Sequence, residues 1–134
     1  MLGFLFSLIL ASTTPSILTV PIIHAEELTK EWTQDEVKAY ALEVATEYGL
    51  HKYRFLKTLE CENGFNAKGQ SNHYHNGVRE RSFGSAQINL YWNPTITQEQ
   101  AENPYFALPW MADEWILGNA WKWSCYTSLF GTPL

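Results

Sequence analysis

Two glutamates bracket a cysteine in the run Leu59-Glu60-Cys61-Glu62-Asn63-Gly64-Phe65, and twenty residues after Glu62 a compact polar turn begins, Ser82-Phe83-Gly84-Ser85-Ala86-Gln87-Ile88-Asn89. On a helix, Phe55, Leu56 and Leu59 centre an apolar stripe; Glu62 falls inside its edge and Glu60 well outside. Apolar surroundings disfavour a charged carboxylate, raise its pKa and keep a proton available near neutral pH. Cleavage of a glycosidic bond needs a proton donor of that kind. Gly64 lets the chain turn sharply directly after the carboxylate. Glu62 is therefore the candidate acid, although on spacing alone a solvated glutamate at a helix end is the commoner case.

The other chemistry-bearing residues are few. Between Glu62 and Ile88 the only further acid is Glu80, flanked by Arg79 and Arg81. It is either a second carboxylate for hydrolysis or the partner of a neighbouring arginine, and the arginine pairing is the plainer expectation. His73 and His75 stand at alternate positions in a segment of loop composition, with no third ligand at matching spacing, so neither a metal nor a cofactor is expected. A loop over a cleft is the expected role of that segment. Cys61 and Cys125 are the only cysteines. An even count in an exported chain favours one disulfide over two buried thiols, closing a loop that contributes on the order of 3–4 kcal/mol. No Cys-x-x-Cys pair suggests a redox role.

These residues need elements to hold them. Thr33-Gln34-Asp35-Glu36 has the form of a capping box, and Val37, Ala41, Leu42, Ala45 and Tyr48 recur at helical spacing up to Gly49. A second helix is predicted over roughly 51–62. Residues 63–81 read as loop with room for short strands, and Ser82 to Leu90 as a buried turn or short strand. Thr97 caps a short helix, and Asn103-Pro104 opens another that runs through Phe106, Ala107, Trp110, Met111, Trp115 and Ile116 to Gly118. Pro109 is tolerable there only if regular helix begins near it. Trp121 and Trp123 are expected in the core around the disulfide. The fold class is mainly α: a small helical domain with a long irregular loop, or a short β-hairpin, beside a cleft.

Composition narrows the partner. A net charge of −5 without a Lys/Arg cluster argues against nucleic acid. Six Trp, seven Tyr and seven Phe suit a sugar ligand as well as a core. Leu2 to Ala11 has the length of a signal-peptide apolar region, and Ala25/Glu26 is the expected cleavage point, although no Lys or Arg precedes that region. The expected division is a signal peptide over 1–25, or an uncleaved anchor, and one domain over 26–134 outside the membrane.

The run Cys61-Glu62-Asn63-Gly64-Phe65-Asn66 resembles the Glu-Ser-Gly-Phe-Asn run of soluble-lytic-transglycosylase-type domains, and Ser82 to Ile88 is similar to that family's second motif. The extension Asn89-Leu90-Tyr91-Trp92 resembles a turn of animal lysozymes, and Asn103 to Ala107 and Trp121 to Tyr126 match in order and spacing. Asn63 departs from the usual Ser, and Ser85 stands where Leu or Ile is normal. The resemblance implies a secreted, monomeric lysozyme-like enzyme acting on peptidoglycan glycan strands, with Glu62 as sole acid/base closing a 1,6-anhydro ring. It further implies substrate binding by Ser82, Gln87, Asn89 and Tyr126. A hydrolytic muramidase and a non-cutting glycan-binding module are the alternatives.

Overall fold

The computed structural model describes residues 30–132, so the expected signal segment and its cleavage point lie outside the described residues. Helix α1 spans Gln34–Glu47 and α2 Lys52–Asn63. Two short hairpins follow: β1 (Tyr74–His75) with β2 (Val78–Arg79), and β3 (Ser82–Phe83) with β4 (Ile88–Asn89), each pair antiparallel. Helix α3 is the single turn Gln98–Ala101, α4 is Pro104–Ile116, a 3₁₀ turn covers Ala120–Lys122, and α5 is Ser124–Phe130. The mainly α expectation holds, with the small strands where the sequence leaves room for them. Among the described residues no helix is long and apolar enough to cross a membrane.

Local chemistry explains the boundaries. Thr33 and Glu36 exchange the two bonds of a capping box at the start of α1. At its end, Leu50 N–H donates to Ala45 O and Gly49 N–H to Thr46 O, a Schellman closure that needs the left-handed Gly49 (φ +65°). Asn103 caps α4 with Pro104 in its first turn. Pro109 departs from expectation: it lies inside α4, five residues past the start. Pro109 has no N–H to offer the carbonyl of Tyr105, one turn earlier in the helix.

The core lies where α1, α2 and α4 meet. Val37, Ala41, Val44 and Ala45 of α1 pack with Phe55 and Leu59 of α2 and with Ala107, Leu108, Met111 and Ala112 of α4, all buried. Burial of a side chain such as Phe55 or Leu59 contributes roughly 1.5–3 kcal/mol. Leu42, expected on the inner face of α1, is 43% exposed, because helical phase from Val37 brings Val44 inward in its place. Helix α5 closes over the end of α2 through the aromatic series Phe55–Trp115–Tyr126–Phe130, with ring centroids 5.0–5.5 Å apart.

Candidate active site

Glu62 sits in the last turn of α2, half-buried, and lines a cleft of about 860 Å³. Its neighbour Glu60 is exposed and pairs with Lys57 at 2.6 Å, as helical phase requires. The Cys61–Cys125 disulfide is formed, joining the end of α2 to the start of α5 with Cα atoms 5.9 Å apart. From that position the backbone N–H of Cys125 donates to Glu62 Oε1 at 3.0 Å. Burial pushes the Glu62 carboxyl above the usual carboxylate range; the Cys125 N–H pulls it back, Glu80 pushes it further up and His73 pulls it down. The net direction is upward, as a proton donor at neutral pH requires.

The turn after α2 is fixed to the second motif by Asn63. Its Nδ2 donates to Asn66 O (3.1 Å), Lys68 O (3.3 Å) and Gly84 O (3.0 Å). The two N–H groups of the amide reach three carbonyls with one hydrogen shared, which the single proton of a serine hydroxyl cannot do. Gly84 and Phe65 both adopt positive φ, and a Cβ on Gly84 would lie 1.8 Å from Ala101 O. The β3–β4 turn thus presses its backbone directly onto the end of α3. Trp123 secures the same turn from the other side, with Nε1 donating to Ala86 O at 2.7 Å. Ser85 fills the position inside this turn, fully buried, its Oγ without a partner.

The residues expected to bind substrate fall into three groups. Gln87 lines the cleft, with positive φ (47°) and its Nε2 donating to Gly84 O (2.8 Å) and Gly69 O (3.3 Å). What it can offer the cleft is therefore its amide oxygen. Ser82 and Asn89 also line the cleft, cross-strand neighbours in the β3–β4 register, but both are turned to Glu80. Ser82 Oγ donates to Glu80 Oε1 at 2.7 Å, and Asn89 Nδ2 donates to the same oxygen at 3.1 Å. Asn89 Oδ1 accepts the Tyr91 N–H at 2.9 Å, so both ends of its amide are taken. Tyr126 is buried between Trp115 and Phe130, its OH accepting from Arg54 Nη1 at 3.5 Å, and it does not line the cleft. The α5 helix turns that ring into the core while its first residues face Glu62.

Glu80 departs from the arginine-paired expectation. Among the described residues neither Arg79 nor Arg81 forms an ion pair with it. Arg79 is committed to Ser71 O (2.7 Å), Gln70 O (3.2 Å) and Asn72 Oδ1 (3.0 Å). A third donor, Ser71 Oγ, reaches Glu80 Oε2 at 3.4 Å. The backbone is fixed on both sides, Glu80 N–H donating to His73 O (2.8 Å) and Gln70 Nε2 donating to Glu80 O (2.9 Å). The sequence carries no signal for this shared partner: Ser82 and Asn89 are expected there on substrate, and only the β3–β4 register brings both side chains to Glu80.

His73 and His75 line the cleft from the β1–β2 hairpin, whose Tyr74 and Val78 are exposed. Among the described residues no group of three His, Cys, Asp or Glu side chains is placed to hold a metal ion. Trp123 is buried as expected, whereas Trp121 is 52% exposed and lines the cleft with Trp92 and Trp110. Trp121 is the middle residue of the 3₁₀ turn Ala120–Lys122, where three residues per turn send its ring outward while Ala120 is buried. No family model, curated protein or solved structure matches the chain.

Proposed function

We propose that this protein cleaves the β-1,4 bond between N-acetylmuramic acid and N-acetylglucosamine in peptidoglycan by lytic transglycosylation, with Glu62 as general acid and then base. The single observation carrying this reading is the Glu62 carboxyl, raised by burial and aimed by Cys125 N–H into a tryptophan-lined cleft. A cleft of about 860 Å³ accommodates several sugar rings, and indole faces pack against sugar C–H surfaces. In the first step the bond from muramyl C1 to the bridging oxygen breaks, its electron pair stays on that oxygen, and the oxygen takes the Glu62 proton. In the second, the muramyl C6 oxygen bonds to C1 and its proton returns to Glu62, closing the 1,6-anhydro ring. The resemblance supports this outcome.

Hydrolysis is the second reading, in which water rather than the C6 hydroxyl attacks C1. The observation favouring it is Glu80, a second carboxylate on the same cleft. Mass analysis of muropeptides from purified cell wall separates the two, because anhydro products are lighter by one water. Anhydro ends with wild type and no products with Glu62→Gln are expected. Reducing ends alone would move the assignment to a muramidase, and equal release by both proteins would remove Glu62 from the chemistry.

A further inference from the structure

We propose that Glu80 is a second catalytic carboxylate, whose charge faces the sugar carbon that turns positive as the bond breaks, and that Ser82 and Asn89 are its positioning residues. The inference rests on the reading of Glu62 as the acid and adds a group that reading does not need. Three side-chain donors converge on Glu80, from Ser82 (2.7 Å), Asn89 (3.1 Å) and Ser71 (3.4 Å), and all are neutral. Glu62, by contrast, receives one backbone N–H and is dominated by burial. One cleft therefore holds one carboxyl under a single backbone N–H and a second met by three neutral side-chain donors. Two carboxyls in contrasting environments are the arrangement that divides acid and charge-stabilising roles.

A purely structural role explains the arrangement poorly. A hub for the two short donor bonds, both on Oε1, is served by a neutral amide oxygen, and only the 3.4 Å Ser71 contact uses Oε2. A carboxylate kept for stability would be expected to use the arginines on either side of it. Arg79 is instead bound to the loop carbonyls of Gln70 and Ser71, and Arg81 is exposed and makes no ion pair with Glu80. The Glu80 charge is thus left uncompensated on the cleft wall. As the C1–oxygen bond breaks, the electron pair leaves with the oxygen protonated by Glu62, and the positive charge is shared between C1 and the ring oxygen. A fixed negative charge facing it lowers that barrier whether the C6 hydroxyl or water then attacks.

The test is Glu80→Gln in the full folded protein. Its Oε1 can keep the bonds from Ser82 and Asn89, so the charge is removed together with only the long Ser71 contact on Oε2. Turnover of purified peptidoglycan is expected to fall about 100-fold or more with KM within about threefold of wild type. The alkaline limb of the pH–rate profile should move to lower pH, because the Glu80 charge holds the Glu62 carboxyl up. The other titratable side chains on this cleft, His73, His75 and Lys122, are untouched by the substitution. Wild-type turnover in Glu80→Gln, or a loss confined to KM, would overturn the proposal. Should Glu80→Gln fail to fold, Ser82→Ala decides: it removes one donor and is expected to cut kcat several-fold with KM unchanged, and unchanged kcat would overturn the proposal. An inactive Glu62→Gln beside an active Glu80→Gln would remove this inference alone, whereas an active Glu62→Gln would remove the parent reading.

Discussion

Glu62 Oε1 accepts the backbone N–H of Cys125 at 3.0 Å, and the sulfur of Cys125 is joined to Cys61, the residue directly before Glu62. The carboxylate is therefore held at both ends of one covalent loop, by the helix that carries it and by the helix that faces it. The disulfide closes 64 residues of sequence separation and ties the placement of the Glu62 carboxyl to the stability of the fold.

Replacing both cysteines with alanine should destabilise the protein by about 4 kcal/mol in the chain-entropy model. It should also move the alkaline limb of activity to lower pH, because a loosened α5 admits water to Glu62 and relieves the burial that raises its pKa. Denaturant unfolding and a pH–rate profile of the double variant measure the two effects. A stability loss without any shift of the profile would separate the disulfide from the aim of the acid.

Glu62→Gln should abolish turnover while raising Tm at neutral pH. The sign follows from linkage: the folded pKa lies above the unfolded one, so the folded chain holds more protons between them and stability falls as pH rises through that window. A neutral amide avoids this loss. The Tm advantage should disappear below the ordinary carboxylate range, where Glu62 is protonated in both states. Thermal unfolding at neutral and acidic pH checks it, and a gap that persists in acid contradicts the assigned cause.

Ser85→Ala should stabilise the fold by about 1 kcal/mol, raising Tm by about 4–8 °C, because the serine hydroxyl is fully buried and unpartnered. Activity should be retained, since Ser85 does not line the cleft. A destabilised variant would mean that an unobserved partner, such as a bound water, satisfies Oγ.

Trp123→Phe should cost about 1–3 kcal/mol, because it removes the indole donor from Ala86 O and leaves a buried carbonyl unpaired. Hydrogen exchange at the β3–β4 turn should rise with it, whereas Trp121→Phe at the exposed position should leave exchange there unchanged.

Helices were legible because their signals are local. The capping residues Thr33, Thr97 and Asn103 mark the beginnings of helices, and one period separates Glu62 from Glu60. Asn63 could be noted only as a departure from a pattern, since its three carbonyl partners come from residues up to 21 positions away. Glu80 was misjudged for the same reason. Adjacent arginines suggested pairing, but the chain direction sends Arg79 to the β1 side of the hairpin while cross-strand Ser82 and Asn89 supply the donors. Tyr126 matched in sequence position, yet helix phase in α5 assigns its ring to Trp115 and Phe130. Spacing along the chain fixes which face a residue occupies, and only packing fixes what meets it there.

Gly84, whose missing side chain lets the turn approach Ala101 O, lies beneath the cleft without entering it. Any side chain at that position would collide with the peptide backbone of α3 whatever the cleft does. A descendant of this chain that lost Glu62 and all turnover would still need that glycine to fold. The glycine thus reports on whether the chain can fold and carries no information on whether it turns anything over.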